Sequence, residues 1–181
     1  SVHIDLSELS YEGNVAGTKE IVKYARARDE ETVQQHSNIL QNIRMSVEGE
    51  LGYLRGESRV QNEKIEIKKE DYTDPAQAAD FVARTDVDRL AIAVGNIHGI
   101  SLDEPALDID RIRAIRVVVP KEVALVLHAG SGIPDDQIHA AIAAGISNIH
   151  INTDLRVAYV TELKKSLAAH PDEAAMYKLD K

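Results

Sequence analysis

Three side chains able to hold a cation, Glu50, His98 and His128, each lie at or near the carboxyl end of a different strand-like run. Two imidazoles and one carboxylate are a competent set for a catalytic divalent ion, and they leave a place for a further ligand or for substrate. Asp5 and Glu48 fall where they would act as alternate ligands or fix the histidines from behind. The chain contains no cysteine, which excludes disulfides and thiolate sites and leaves only His, Asp or Glu for a metal. Directly after His128, the small residues Ala129-Gly130-Ser131-Gly132 would let backbone N–H groups come close to a phosphate. His3, His139 and His170 read as structural or solvent-facing, and His36 as solvated.

These groups meet only if the chain alternates strands and helices. Runs at 1–7, 45–52, 90–95, 123–127 and 148–154 read as strands, short and rich in β-branched residues. Helical spacing covers 14–28, 76–84, 107–117, 134–144 and 155–169, with Asp74 as a cap, Pro75 in the first position and Gly145 as a stop. Residues 29–44 either extend the first helix or form an insertion. Residues 53–69, with glycines and alternating charge, read as a mobile loop at the site. Alternation at 47–51 puts Glu48 and Glu50 on one face, where buried neighbouring carboxylates require something positive opposite them. The order predicts an α/β fold with a parallel sheet and a site at the strand carboxyl ends, either barrel-like or an open flavodoxin-like sheet.

At 181 residues the chain fits one domain, with an aliphatic core, since it holds one Phe and no Trp. A net charge of -9 argues against a nucleic-acid surface. No apolar run approaches a membrane span, so neither nucleic acid nor membrane is an expected partner, and a cytoplasmic location is expected.

The segments SVHIDLSELSYEGN, SVEGELG, AVGNIHG, LVLHAGSGIP and NIHINTDLR, in that order, resemble the class II, metal-dependent fructose-bisphosphate aldolases. The resemblance runs from Ser1 to about Pro171. It implies a parallel (β/α)8 TIM-barrel fold of which about five βα units are present, similar to the fourth to eighth strands. It implies that His98, His128 and Glu50 ligate Zn2+ or another divalent cation, with Asp5 beside an alternative metal position and room for a monovalent cation. Gly99, Ala129, Gly130 and Ser131, with His150, Ile151, Asn152 and Thr153, fall where the family holds one phosphate end of its ketose; Arg156 matches an arginine that meets the other. Asp154 is either substrate-positioning or a helix cap, and Glu57 lies in the loop that carries a catalytic acid.

The implied reaction is reversible cleavage of fructose 1,6-bisphosphate to dihydroxyacetone phosphate and glyceraldehyde 3-phosphate. The implied partners are a small phosphorylated sugar and further copies of the chain, as a dimer or tetramer. Five features depart from the family pattern, two of them being Gly-Asn-Ile for the usual Gly-Thr-Ser before His98 and Ala-Gly for the usual double glycine after His128. The Asp-His pair of its third strand has no counterpart, His150 replaces a usual Asn, and Glu57 lies one place before the usual acid. Five parallel strands of an eight-strand barrel leave two open edges, so the sequence is expected to belong to a longer chain or to associate. A metal-free sugar-phosphate-binding barrel, or one part of a split enzyme, is the alternative.

Overall fold

The computed structural model describes residues 1–35, 44–102, 106–173 and 175. The five expected strands form one parallel sheet: β1 (Val2–Ile4), β2 (Val47–Leu51), β4 (Arg89–Ile92), β6 (Ala124–Leu127) and β7 (Ile146–Ile149). Their spatial order β1-β2-β4-β6-β7 follows the chain without reversal. A flavodoxin-like sheet reverses direction at a switch point, so the sequential order decides for barrel-type winding. β3 (Gly56–Val60) and β5 (His98–Ile100) form a separate parallel ribbon.

Helices α1 (Tyr11–Gln35), α2 (Pro75–Thr85), α3 (Ile109–Val118) and α4 (Asp135–Ala144) connect the strands and pack side by side, α1 on α2, α2 on α3, α3 on α4. α2 starts as its sequence dictates. The Asp74 carboxylate accepts from the Gln77 amide, with Pro75 in the first turn, a cap worth about 1 kcal/mol. α4 stops at Gly145, whose φ of 123° an L side chain rarely adopts.

The core lies between this helical layer and the sheet, with Phe81, Ile112, Ile115, Leu90 and Leu125 buried in it. Gly49 shows which sheet face is which, because a Cβ there would meet the Phe81 ring at 2.9 Å and the Thr18 methyl at 3.3 Å. Gly49 therefore faces the helices, and by alternation Glu48 and Glu50 face the opposite, inner side. No helix among the described residues is long and apolar enough to cross a membrane.

Two expectations are corrected, and one open alternative is decided over part of its length. Residues 53–69 are not all loop, since 56–60 form β3. Residues 29–35 continue α1, and 36–43, with His36, lie outside the described residues. β7 ends at Ile149, and Thr153 already begins α5 (Thr153–Ala169). The alternation of isoleucines suggested a strand through 154, but Ile151 is exposed and contributes nothing to a buried face. α5 leaves the sheet and touches the β3–β5 ribbon, with Thr153 as its sole buried residue.

Candidate metal centre

The inner face of the sheet gathers acidic and imidazole groups from four strands. β1 and β2 pair in register His3↔Glu48, and β2 and β4 in register Glu48↔Arg89. Glu48 is fully buried, and its Oε1 lies 2.7 Å from His128 Nε2. Its Oε2 lies 3.2 Å from Arg89 Nε, an ionic contact whose angle falls short of a hydrogen bond. The two buried carboxylates therefore have Arg89 as a fixed positive charge, with His128 and His3 as their imidazole partners.

Glu50 is the second buried carboxylate, and its Oε2 is 3.1 Å from His3 Nε2 and 3.5 Å from His128 Nδ1. The rings form a stack across the face: His3 and His128 edge to face at 4.8 Å, His128 and His150 stacked at 4.4 Å. Backbone contacts hold the cluster in place. Asn14 donates to the Glu50 carbonyl at 2.8 Å, and Asn96 to the His128 carbonyl at 2.9 Å. Thr73 ties the ends of β2 and β4 together, donating to the Leu51 carbonyl and accepting from the Ala93 amide.

The electrostatics follow from these contacts. The hydrogen bond to Glu50 raises the His3 pKa, with the charges of Glu50, Glu48 and Asp5 adding to it against partial desolvation. Burial pushes the Glu48 carboxyl up, but the His128 hydrogen bond and the charges of His128, Arg89 and His3 outweigh it, and Glu48 stays below its usual range. Desolvation, then the neighbouring His128, lowers His150.

Two groups of donors are close enough to share one ion: His3, Glu50 and His128, and Glu48, His128 and His150, with ligand atoms in each within 4.8 Å of one another. Two donors about 2.0–2.1 Å from a tetrahedral ion stand roughly 3.3 Å apart. The separations of 3.1 and 3.5 Å about Glu50 bracket that figure, so the first group fits a divalent ion.

A profile described as fructose-bisphosphate aldolase class-II matches residues 1–181. The chain belongs to the class II fructose-bisphosphate aldolase family. It is similar to the solved YdjI aldolase from Escherichia coli K12, with 32% identity and a TM-score of 0.70 over 98% of this chain and 53% of that one. It is also similar to a putative fructose-1,6-biphosphate aldolase from Coccidioides immitis, at 25% identity and TM-score 0.73, covering 98% and 55% of the two chains. Fructose-bisphosphate aldolase (Fba) from Campylobacter jejuni, at 22% identity and TM-score 0.67 over 94% and 45%, shares the fold. The chain spans about half the length of these solved aldolases.

Two of the residues expected as ligands lie outside both donor groups. His98 belongs to neither donor group. Its backbone is committed to the ribbon: its amide donates to the Arg55 carbonyl at 2.8 Å and its carbonyl accepts from Gln61 at 2.7 Å. His3 stands in the first donor group. The expectation of a structural or solvent-facing His3 overlooks that alternation puts it on the same face as Asp5. Asp5 is also in neither group. Its Oδ1 accepts from the Ser7 amide at 2.9 Å and the Ser7 hydroxyl at 2.6 Å, forming a turn after β1. Partial burial pushes the Asp5 pKa up, but those bonds and the nearby His3 and His128 hold it below the usual range.

The amides of the small-residue loop after β6 have different partners. The Gly130 amide donates to the His150 carbonyl at 2.9 Å, and a Cβ on Gly130 would meet Ile149 at 2.7 Å. The glycine therefore permits contact with β7, leaving the Ala129 and Ser131 amides as the loop's donors among the described residues. Ser131 Oγ accepts from the amides of Asn152 and Asp154, and Asp154 Oδ2 accepts from the Gly132 amide at 3.0 Å. Asp154 thus fastens α5 to this loop.

Thr153 is buried at that junction, and Ile151 and Asn152 are exposed beside it. Gly99, at φ 90°, lets β5 approach β3: a Cβ would collide with the Arg59 and Glu57 carbonyls. Glu57 is exposed on β3 and paired with Arg59 at 3.2 Å, away from the cluster. Arg156 Nη1 donates to the Ser58 carbonyl at 3.1 Å. Arg89 joins the site through the β2–β4 register, which sets it opposite Glu48 and leaves no local trace in the sequence.

Proposed function

We propose that this chain carries the cation-binding part of a ketose-bisphosphate aldolase, with His3, Glu50 and His128 as ligands of a divalent ion, Zn2+ by preference. The observation that carries the proposal is the meeting of these donors, from three strands, at separations suited to one ion. When bound, the ion supplies Lewis-acid polarisation of the substrate carbonyl, offsetting the charge left as the C3–C4 bond breaks.

The chain's own residues supply the rest. Glu48 holds Nε2 of His128 and so fixes the ring with Nδ1 towards Glu50. Asn14 and Asn96 hold the backbone on either side against the inner face. The Ala129 and Ser131 amides face one phosphate end, and Arg156 lies on α5 beyond them for the other. Anchoring both ends orients the bond to be cleaved.

The test is zinc binding by calorimetry. The chain is expected to take up about one ion, with affinity falling at least tenfold in His128→Ala, Glu50→Gln and His3→Asn. His98→Ala is expected to retain the affinity. Loss in His98→Ala together with retention in His3→Asn would restore the ligand set implied by resemblance and reject this one.

A further inference from the structure

The two donor groups, His3, Glu50 and His128 on one side and Glu48, His128 and His150 on the other, share His128 but meet different nitrogens of its ring. Nδ1 lies 3.5 Å from Glu50 Oε2 in the first, and Nε2 lies 2.7 Å from Glu48 Oε1 in the second. A neutral imidazole offers one lone pair, so the ring ligates an ion through one nitrogen at a time. By donor type the groups are equals, each with one carboxylate and two imidazoles. Burial favours the second, because Glu48 is wholly withdrawn from water and has the greater need of positive charge beside it. Something beyond the donor atoms must therefore separate the two positions.

Arg89 stands on the second side. The β2–β4 register sets it beside Glu48, and its Nε lies 3.2 Å from Glu48 Oε2. Glu48 is its one ion-pair partner among the described residues. Both atoms of that contact are buried, yet neither has a hydrogen-bond partner. The guanidinium thus contributes charge at this place rather than a directed bond. Its register neighbour on the other side is Ala124, whose single methyl leaves the arginine room to lie against the carboxylate. Placed there, the guanidinium already supplies the positive charge that an ion would bring, and it repels a dication from the same oxygens.

We propose that Arg89 closes a second divalent-cation position, made of Glu48, His128 Nε2 and His150, and so directs the ion to His3, Glu50 and His128 Nδ1. Arg89 acts through Glu48 and is a positioning residue. With the second position shut, Glu48 accepts from the Nε2 proton and the Nδ1 lone pair is left for the ion. Removing the charge of Arg89 opens the second position. The inference deepens the aldolase reading by naming what selects the ion's place, and it rests on that reading for the first position alone.

The experiment titrates Zn2+ into the chain labelled with nitrogen-15 at histidine, with affinities from calorimetry. The His128 nitrogen resonances show which side of the ring is ligated. In the parent, zinc is expected to shift Nδ1, and His150→Ala to leave the affinity within about twofold. In Arg89→Met, zinc is expected to shift Nε2, and His150→Ala added to it to lower the affinity about tenfold or more. Arg89→Lys keeps the charge and is expected to behave as the parent does. Ligation through Nδ1 in Arg89→Met, with an affinity indifferent to His150, overturns the inference, and so does a parent chain that already ligates through Nε2. A parent that takes up no zinc rejects the ion site proposed above, and this inference then stands if Arg89→Met gains a His150-dependent ion and falls if it does not. If circular dichroism shows Arg89→Met unfolded, Arg89→Gln, neutral but able to donate to Glu48, is read in the same way.

Discussion

At the scale of single residues, the site is organised around Glu48 rather than around the histidines it touches. Its buried carboxylate is the common partner of His128 and Arg89, and both would be left facing a neutral group if it were replaced. Removing one member of a buried charged set typically costs about 3–5 kcal/mol. Glu48→Gln is therefore expected to lower the urea midpoint markedly, and Arg89→Met combined with it to recover part of the loss. Equal destabilisation by the single and double variants would show that the two charges do not communicate. The sequence announced that Glu48 and Glu50 share a face and need positive company, because alternation in a strand is rigid. It did not announce which cation answers, because that depends on the β2–β4 register, a long-range property. The surroundings of His98 were not legible for a related reason. It lies at the expected end of the sheet, but the ribbon that redirects its backbone forms from a segment 40 residues away that reads as loop.

At the scale of elements, that ribbon is the least foreseeable part of the fold. β3 is wholly exposed, so burial gave its sequence no periodic signature. Its pairing depends on the close approach at Gly99. Gly99→Ala is expected to speed amide exchange at His98 and Gln61, which bond to Arg55 and Ile100, while Leu90 and Leu125 in the main sheet stay protected. Uniform loss of protection would show that ribbon and sheet unfold as one unit. The segment leading into α2 carries a pH-dependent tie, where Arg55 grips Asp71 through two N–H groups. The hydrogen bond to Arg55 holds the Asp71 carboxyl below its ordinary range, with burial opposing it. Since the folded-state pKa is the lower one, the stabilisation is present above the unfolded value of about 3.9 and disappears as pH falls through the folded value. Asp71→Asn should therefore be less stable than the parent at neutral pH, with the gap closing in acid. A gap constant down to pH 2 would contradict this. The helices were easier to read: Phe81, the chain's only phenylalanine, faces the core as α2's periodicity requires. Phe81→Ala is expected to cost about 3–5 kcal/mol in thermal or urea unfolding.

At the scale of the whole molecule, the strand order was legible because barrel-type winding places successive strands side by side, so chain order predicts neighbours. What stayed hidden was the placement of α5. Its sequence alternates apolar and charged residues like any surface helix, yet Leu155 and Tyr159 are 66% and 54% exposed. With β1 and β7 as open edges among the described residues, the exposed apolar side chains of this helix predict concentration-dependent association. Light scattering should show mass rising with concentration, reduced by Leu155→Lys combined with Tyr159→Lys. A constant single-chain mass would remove that expectation. The histidine stack carries one more implication. In a flat sheet β1 and β6 would lie about 14 Å apart, three strand spacings. His3 and His128 nevertheless touch, with His150 at the end of β7 resting on the far side of the same ring. The sheet is bent like a bow, and the imidazoles and Glu50 span its string side. An ion seated there would act as a clasp between the first strand and the sixth, so that straightening the bow and releasing the ion become a single event, and metal would stiffen the arc as well as serve its chemistry.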